Sequence, residues 1–326
     1  MNKRRALAAV ALVVVASLAY ATSGTASPSR ISITMGTEPW IGYAPWWIAQ
    51  KEGFFGKNGL NVKIVNFQTD ADRDSALIAG RTDVSNEPTN GIVRFDSTGK
   101  AEMRALIYED ASLGADAVLA SKSITKPSQL IGKTVAYEQG TTSDLLIHYL
   151  LQKNHIPFSK IKVVNAPAAQ AGTLLIAGKV DVAVTYQPYI SNATSGPNAG
   201  KVHVLYSSKQ APGLISDYLA ANQSWLPSHE AVVKDLVKTW QDSINYFLTH
   251  RKSAVAIMAA GVGSTPSSLA STLAGVKLYS IPDNQKLFKS GALKTQYNGI
   301  GATMKTQGVI KSLTPFSTTL NFTAQK

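Results

Sequence analysis

The chain has 326 residues, which is enough for two domains, and it carries a formal net charge of +12 with no cysteine. The lack of cysteine excludes disulfide bonds, thiolate metal sites and a cysteine nucleophile. A basic chain first suggests a nucleic-acid partner, but lysine and arginine are scattered along the sequence without a basic stripe, which argues against one. A general positive charge would instead help to gather small anions.

The N-terminus has the pattern of a secretory signal peptide. Basic residues at 3–5 are followed by an uncharged apolar stretch at 6–18 and by the small-residue sequence A-Y-A at 19–21. This stretch is shorter than the roughly 20 residues that a membrane span needs. We therefore predict cleavage of residues 1–21, or an alternative cut after Ala26, giving a periplasmic protein without stable membrane insertion. Because there is no cysteine, no lipid anchor is expected.

The first predicted unit is a strand at 31–35, a helix at 46–55 and a second strand at 60–67. The loop at 36–44 joins the carboxyl end of the first strand to the amino end of the helix. Open α/β sheets bind their ligands at such loops, where free N–H groups also favour anions. The candidate ligand-binding residues in this loop are Trp40, Gly42 and Tyr43.

The same stretch carries a motif from Trp40 to Val62, W-x-G-Y-x-P-x-x-x-A-x-x-x-G-F-F-x-x-x-G-L-x-V. It resembles the start of periplasmic solute-binding proteins of ABC importers, in the nitrate, sulfonate and taurine-type family that is related to thiamine-pyrimidine precursor binders. The resemblance implies an α/β protein with the two-lobe periplasmic-binding-protein fold (type II). Each lobe would be a mixed sheet flanked by helices, with the ligand in the cleft between the lobes.

A second candidate binding loop is predicted at 85–91, after a helix at 68–82 that Asp70 or Asp72 would cap. Proline and small polar residues precede the next helix, so N–H groups and side-chain donors would be exposed there. The alternative is an ordinary loop in which Ser85 or Asn86 caps the helix. The candidate ligand-binding residues are Asn86, Glu87 and Thr89.

Asp116 stands directly before an apolar run and begins a predicted strand. In the resemblance this segment is the first crossover between the lobes, so the carboxylate would lie near the cleft and would bind an ammonium group of a ligand. The alternative is that Asp116 caps the strand or pairs with a lysine on the surface.

A loop with one glycine and three hydroxyl residues follows the strand predicted at 134–137 and precedes the helix predicted at 145–152. Such a helix N-terminus offers backbone N–H and side-chain O–H donors to an anion, which makes it the strongest single candidate in the chain. Capping by one of the hydroxyls is the alternative and is compatible with binding. The candidates here are Glu138, Gly140, Thr141, Thr142 and Ser143.

The segment at 175–183 repeats the pattern of residues 77–85, which suggests two lobes built on one plan. The loop that follows it begins with two further candidates, Tyr186 and Gln187. Related receptors often carry a carboxylate before the proline of this loop. Here the amide of Gln187 replaces it, which weakens the case for a strongly cationic ligand.

The predicted organisation is lobe 1 over 30–115, lobe 2 over 116–214 and a return to lobe 1 with C-terminal helices over 215–326. Two crossings between lobes would form a hinge that lets them close on a ligand. The five histidines show no metal-ligand spacing, and nucleophile and phosphate-loop motifs are missing from the sequence. We therefore predict a monomeric receptor that is not an enzyme and that uses no cofactor and no metal.

The favoured function is an extracytoplasmic receptor for a small anionic or zwitterionic solute resembling taurine or an aliphatic sulfonate. It would hand this solute to an ABC permease and its ATPase. The hydroxyls at 141–143 would hold the anionic group, Asp116 the amine, and Trp40 with Tyr43 a flat heteroaromatic ligand. The alternatives are nitrate or bicarbonate binding, a pyrimidine-precursor binder, a pyrimidine-synthesising enzyme on the same fold, and a sensory partner of a membrane kinase.

Overall fold

The computed structural model of the protein describes residues 30–322 and Gln325. The predicted signal peptide at 1–21 and its alternative cut after Ala26 lie outside these residues. Among the described residues, no helix combines the length and the apolar character that crossing a membrane requires.

Strands and helices alternate along most of the described chain. The strands are β1 (Ile31–Thr37), β2 (Leu60–Asn66), β3 (Val84–Pro88), β4 (Met103–Ser112), β5 (Asp116–Ser121), β6 (Thr134–Tyr137), β7 (Lys162–Asn165), β8 (Val182–Tyr186), β9 (Val202–Ser207), β10 (Ser216–Asn222) and β11 (Val276–Leu278). The helices are α1 (Pro45–Lys51), α2 (Phe54–Lys57), α3 (Asp70–Ile78), α4 (Thr89–Thr98), α5 (Thr142–Lys153), α6 (Ala168–Ile176), α7 (Tyr189–Thr194), α8 (Glu230–Thr249), α9 (Arg251–Gly261), α10 (Pro266–Thr272), α11 (Ile281–Lys289), α12 (Ala292–Thr306) and α13 (Phe316–Thr319).

The strands form two mixed sheets, and each sheet is the centre of one lobe. The sheet of lobe 1 has the order β11-β4-β10-β3-β1-β2, in which β1 runs parallel to β2 and β3 while β10 runs antiparallel to β3 and β4. The sheet of lobe 2 has the order β7-β6-β8-β5-β9, with β6 parallel to β7 and β8 and with β5 antiparallel to β8 and β9. The predicted fold class, an α/β protein of two lobes with mixed sheets, is confirmed.

The chain passes from lobe 1 to lobe 2 between β4 and β5, and it returns between β9 and β10. After the return, α12 packs against both lobes. Its buried side chains Tyr297, Ile300 and Met304 belong to the same apolar cluster as Leu145 of α5 in lobe 2 and Val93 of α4 in lobe 1. The core of the protein is therefore continuous from one lobe to the other along this helix.

The core of lobe 1 is built around the buried indole of Trp46 in α1. This ring stacks on Phe55 at a centroid distance of 5.9 Å and lies 5.0 Å from the ring of Trp240 in α8. The apolar face of α8 thus covers α1 and fixes the loop that precedes it. That loop contributes the aromatic side chains of the cleft.

Two predicted helices differ from those in the structure. The helix predicted at 46–55 is interrupted at Gly53, whose φ of +72° is in the left-handed region, so that α1 and α2 are separate. The helix predicted at 68–82 is shorter, and its cap is Thr69 instead of Asp70 or Asp72, because the Thr69 hydroxyl accepts the N–H of Asp72.

The prediction of a loop at 85–91 is also wrong. Residues Val84–Pro88 form the buried strand β3, which pairs with β1 and β10, and α4 starts directly at Thr89. Neither Ser85 nor Asn86 caps this helix. Tertiary pairing therefore overrides the local polarity of this segment, because two neighbouring strands supply its backbone hydrogen bonds.

Candidate functional site

A small cavity lies between the two lobes, at the carboxyl ends of their parallel strands. Its empty volume, including the space at its open mouth, is about 370 Å³. From lobe 1 and the returning connection it is lined by Glu38, Trp40, Tyr43, Asp70, Arg73, Pro88, Ile215 and Asp217. From lobe 2 it is lined by Asp116, Thr141, Thr142, Ser143 and Tyr186.

Arg73 in α3 is the cationic residue in the wall of this cavity, and its guanidinium is fully paired. Its Nη1 donates to Glu38 at 2.8 Å and to Asp70 at 2.6 Å, while its Nη2 donates to Asp74 at 2.9 Å and to Glu87 at 3.1 Å. The Nε also donates to Glu87, at 3.3 Å. Since a guanidinium has five N–H groups, all of them are engaged by protein carboxylates.

The aromatic side chains of the wall each donate their polar hydrogen to a buried carboxylate. The indole N–H of Trp40 lies 3.2 Å from both oxygens of Asp110, and the Tyr43 hydroxyl lies 2.8 Å from Asp217. From lobe 2, the Tyr186 hydroxyl reaches Glu38 at 3.1 Å. The rings of Trp40 and Tyr186 meet edge to face across the cleft at 5.7 Å.

Asp110 and Asp217 are facing residues in the antiparallel pair β4–β10, and their carboxyl groups hydrogen-bond to each other. Burial and the charge of Asp217 raise the pKa of Asp110 well above its usual range. Burial also raises the pKa of Asp217, but only to about 6, because Tyr43 and Asp110 donate hydrogen bonds to it. Two adjacent buried carboxyl groups resist carrying two negative charges, so the pair favours sharing a proton in the hydrogen bond between Asp110 and Asp217.

Asp116 at the start of β5 faces this pair from lobe 2. Its side chain is 4% exposed, and one of its carboxyl oxygens has no hydrogen-bond partner. Burial raises the pKa of Asp116 to about 8, with the charges of Asp217 and Asp70 adding to the effect and the Ser112 hydroxyl opposing it. The alternative of a surface pair with lysine is wrong, since the residue is buried in the cavity wall.

Gly42 lines no part of the cavity but allows its wall to form. A Cβ atom on this residue would lie 2.0 Å from an oxygen of Asp110 and 2.3 Å from the indole nitrogen of Trp40. The lack of a side chain at Gly42 is therefore what permits Asp110 and Trp40 to approach each other.

The hydroxyl residues at the start of α5 all reach the cavity, and two of them are already engaged. Thr141 accepts the N–H of Ser143 at 3.2 Å and donates to the carbonyl of Glu138 at 2.8 Å. Thr142 donates across the cleft to Asn90 of α4 at 3.2 Å. The capping that the sequence suggested for this loop is thus performed by Thr141.

Glu138 and Gly140 flank the cavity without lining it. The Glu138 carboxylate accepts the backbone N–H of Asp70 in lobe 1 at 3.1 Å and that of Ala168 in lobe 2 at 3.3 Å. Burial and the charge of Asp70 raise the pKa of Glu138 to about 7. The N–H of Gly140 donates to Asp144 within the same loop, at 2.8 Å.

The remaining candidates from the sequence make structural contacts away from the cavity wall. Asn86 donates to Glu109 at 2.9 Å, Glu87 holds Arg73, and Thr89 bonds to Ser216. Gln187 accepts hydrogen bonds from Ser191 in the following turn, so its amide does not reach the cleft.

Sequence reasoning missed most of the acidic wall. Glu38 stands in the predicted loop next to Trp40, and Arg73 is the arginine among three aspartates of α3, but neither pattern by itself indicates a cleft residue. Asp110 and Asp217 interrupt apolar strands, and a charge inside a buried strand is the available signal of a functional or paired group. Among the described residues, no group of three or more His, Cys, Asp or Glu side chains is arranged to hold a metal ion.

Comparison with known proteins agrees with this fold. A model of the family described as "NMT1/THI5 like" matches residues 40–254. A Brucella abortus protein, named provisionally as a binding protein, is 23% identical over 282 residues, which cover 83% of this chain and 86% of that protein.

Two solved structures share the architecture at low identity. The periplasmic aliphatic sulphonate binding protein of Escherichia coli superimposes with a TM-score of 0.71 at 18% identity, covering 89% of this chain and 97% of that one. A desulfurization enzyme superimposes with a TM-score of 0.65 at 11% identity, covering 91% of this chain and 98% of that one. The same architecture therefore serves both binding and catalysis, and the fold alone does not distinguish the two in this chain.

Proposed function

We propose that this chain, which belongs to the NMT1/THI5-like family, is the extracytoplasmic solute receptor of an ABC importer and not an enzyme. The observation that carries this proposal is a cavity walled by both lobes and crossed by hydrogen bonds between them. A site divided between two lobes binds by closing on its ligand, as receptors of this architecture do. The receptor would then present the closed form to a membrane permease driven by an ATPase.

The cavity wall lacks a set of groups that would support covalent catalysis. Among the described residues that line the cavity, the hydroxyl nucleophiles are Thr141, Thr142 and Ser143, and neither a histidine nor a lysine is present to activate them. The carboxyl groups of Glu38, Asp110 and Asp217 are hydrogen-bonded to Arg73 or to aromatic donors, which fixes their geometry. This arrangement favours recognition over turnover.

The wall favours a solute that carries a positively charged nitrogen. Glu38, Asp70, Asp116 and Asp217 line the cavity, while Arg73 has no N–H left for a ligand. A plain alkanesulfonate, nitrate or bicarbonate would lie against these carboxylates, and the wall would offer it no free cation to bind. Such ligands therefore fit this cavity less well than an amine-bearing solute.

A zwitterion such as taurine meets this requirement at its amine. Its ammonium group would lie between Asp116 and Asp217, and its sulfonate would reach the start of α5 at Thr142 and Ser143. A flat aminopyrimidine is the second candidate, and it is favoured by the ring faces of Trp40 and Tyr186 beside the same carboxylates.

A thermal-shift screen of the purified protein tests the receptor function. The panel would contain taurine, propanesulfonate, nitrate, bicarbonate and an aminopyrimidine. A ligand at 100 times its Kd stabilises the folded state by about 2.7 kcal/mol, which raises the melting temperature of a protein of this size by several degrees. We expect a shift without consumption of the ligand, and conversion of a bound compound into a product would refute a receptor.

A further inference from the structure

We propose that the cavity selects a solute with a net positive charge, that is, an organic ammonium or amidinium cation without an acidic group. This inference rests on the proposed receptor function and narrows its ligand class. It goes beyond the amine-bearing zwitterion, because it concerns what the cavity offers to the other end of the solute.

The charged groups around the cavity are mostly acidic. Four carboxyl groups line the wall, and the one guanidinium in that wall gives all of its N–H groups to Glu38, Asp70, Asp74 and Glu87. Arg94 does not line this cavity; its Nη2 donates to Asp74 at 2.9 Å, and its buried Nε has no hydrogen-bond partner. An acidic group on the solute would therefore meet carboxylates in the wall and no uncommitted cation there.

Asp116 supplies an independent observation. Its side chain is buried, it lines the cavity, and one of its oxygens has no hydrogen-bond partner. A buried acceptor without a partner is unfavourable by about 1 to 3 kcal/mol, and more if it is charged. A ligand N⁺–H group at this oxygen would supply the missing hydrogen bond and would favour the ionised form of the Asp116 carboxyl group.

The aromatic walls favour an organic cation over a metal ion. Trp40 and Tyr186 line the cavity and donate their polar hydrogens to Asp110 and Glu38, so their ring atoms are what they have left to offer a ligand. A cation close to an aromatic face is stabilised by the ring quadrupole. In the part of the chain that the structure describes, the acidic residues are also not grouped as metal ligands.

At the start of α5, two of the three hydroxyl groups that line the cavity are already donated to protein groups, which leaves Ser143. The hydroxyl of Thr141 donates to the carbonyl of Glu138, and the hydroxyl of Thr142 donates to Asn90. These donors would have to break existing hydrogen bonds before they could hold a sulfonate or carboxylate. The start of α5 therefore discriminates weakly between anionic and cationic solutes, and the carboxyl groups of the wall determine which charge is preferred.

The test compares solutes of similar length that differ in charge. Calorimetric titrations would use 1,3-diaminopropane, agmatine and choline as cations, β-alanine, taurine and glycine betaine as zwitterions, and propanesulfonate as the anion. We expect binding by at least one cation, with affinity at least tenfold above that of its zwitterionic counterpart, and no binding of the sulfonate. Tighter binding of taurine than of every cation would overturn the charge selection and leave the receptor function intact, whereas turnover of any compound would overturn the receptor function itself.

Matched variants locate the selecting charge. For the bound cation, Asp116→Asn and Asp217→Asn keep the side-chain shape and should each lower the affinity at least tenfold. Asp72→Asn removes an exposed acid at the start of α3 and should leave the affinity unchanged. Equal losses in all three variants would assign the effect to the overall charge of the protein and would overturn the proposed site.

Discussion

Glu138 of lobe 2 accepts a hydrogen bond from the backbone N–H of Asp70 in lobe 1, at 3.1 Å. The same carboxylate accepts the N–H of Ala168, so it caps the first turn of one helix from each lobe. Two helix N-termini with their partial positive charges thus converge on one negative group. The contact connects the lobes beside the cavity and would form as the cleft closes.

We expect Glu138→Gln to weaken solute binding about tenfold, because a hydrogen bond to a charged group contributes roughly 1.5 to 3 kcal/mol and the neutral amide loses the attraction to both helices. The loss should be seen mainly as faster dissociation of the solute, measured by stopped-flow fluorescence. Glu102→Gln, at a side chain that is 76% exposed, is the control. Unchanged dissociation in Glu138→Gln would rule out this contact as a determinant of closure.

Gly42→Ala should disturb the cavity without touching the solute directly. The added Cβ would overlap Asp110 and Trp40, so one of the two side chains must move and their hydrogen bond should break. We expect at least tenfold weaker binding, measured by calorimetry. Gly299→Ala, in α12 where no heavy atom lies within 4 Å of the added Cβ, should bind normally; equal affinities in the two variants would contradict this role for Gly42.

Arg73→Met should strongly destabilise the fold. Arg73 is buried, and its removal takes the counter-charge from Glu38, Asp70 and Glu87, while Asp74 keeps its ion pair with Arg94. Breaking a buried ion pair at one partner costs about 3 to 5 kcal/mol, which urea unfolding would measure. Arg81→Met, at an exposed position, provides the comparison. A loss below about 1 kcal/mol in Arg73→Met, within the range of exposed pairs, would contradict the account of the network.

The acidic cavity predicts how stability depends on pH. Burial raises the pKa of Asp116 to about 8 from its ordinary value of 3.8. The folded state therefore binds the proton more tightly than the unfolded state, so this contribution to stability is complete below about pH 4 and is lost as the pH rises through 8. Relative to Asp116→Asn, the ligand-free protein should lose stability between pH 5 and 8 in thermal unfolding; parallel curves for the two proteins would contradict the shift.

A bound cation should oppose the loss of stability with rising pH, since it favours the ionised carboxylates. Its affinity is expected to rise between pH 6 and 8, over the range in which Asp217, with a pKa of about 6, and Asp116 lose their protons. Calorimetry in buffers of different ionisation enthalpy would detect the protons released on binding. Affinity that falls over this interval would contradict a cationic solute.

Much of the fold could be predicted because its signals are local. The strand at Thr134–Tyr137 begins and ends where its sequence pattern does, and the helix predicted at 145–152 lies within α5. The break at Gly53 was missed because glycine is compatible with either a helix or a left-handed turn, and only packing decides between them. Strand β3 was missed because its polar sequence is buried by neighbours that come from distant parts of the chain.

The cavity residues could be predicted where they belong to one loop, but not where they come from strands that are distant in the sequence. Trp40 and Tyr43 were found from their loop, but their partners lie 70 and 174 residues further along the chain. Asp110 and Asp217 become neighbours through the pairing of β4 with β10, which no local pattern contains. The sequence therefore indicated an amine-binding carboxylate at Asp116 and gave no sign of how strongly acidic the whole cavity is.

The continuous core along α12 also predicts how the protein unfolds. Because Met304 and Ile300 share one apolar cluster with Leu145 of lobe 2 and Val93 of lobe 1, neither lobe can melt without exposing side chains that support the other. The two lobes should therefore denature in a single cooperative transition, with equal calorimetric and van't Hoff enthalpies. Because α12 packs against both lobes, opening of the cleft would be restricted to a rotation of one lobe relative to the other about this helix.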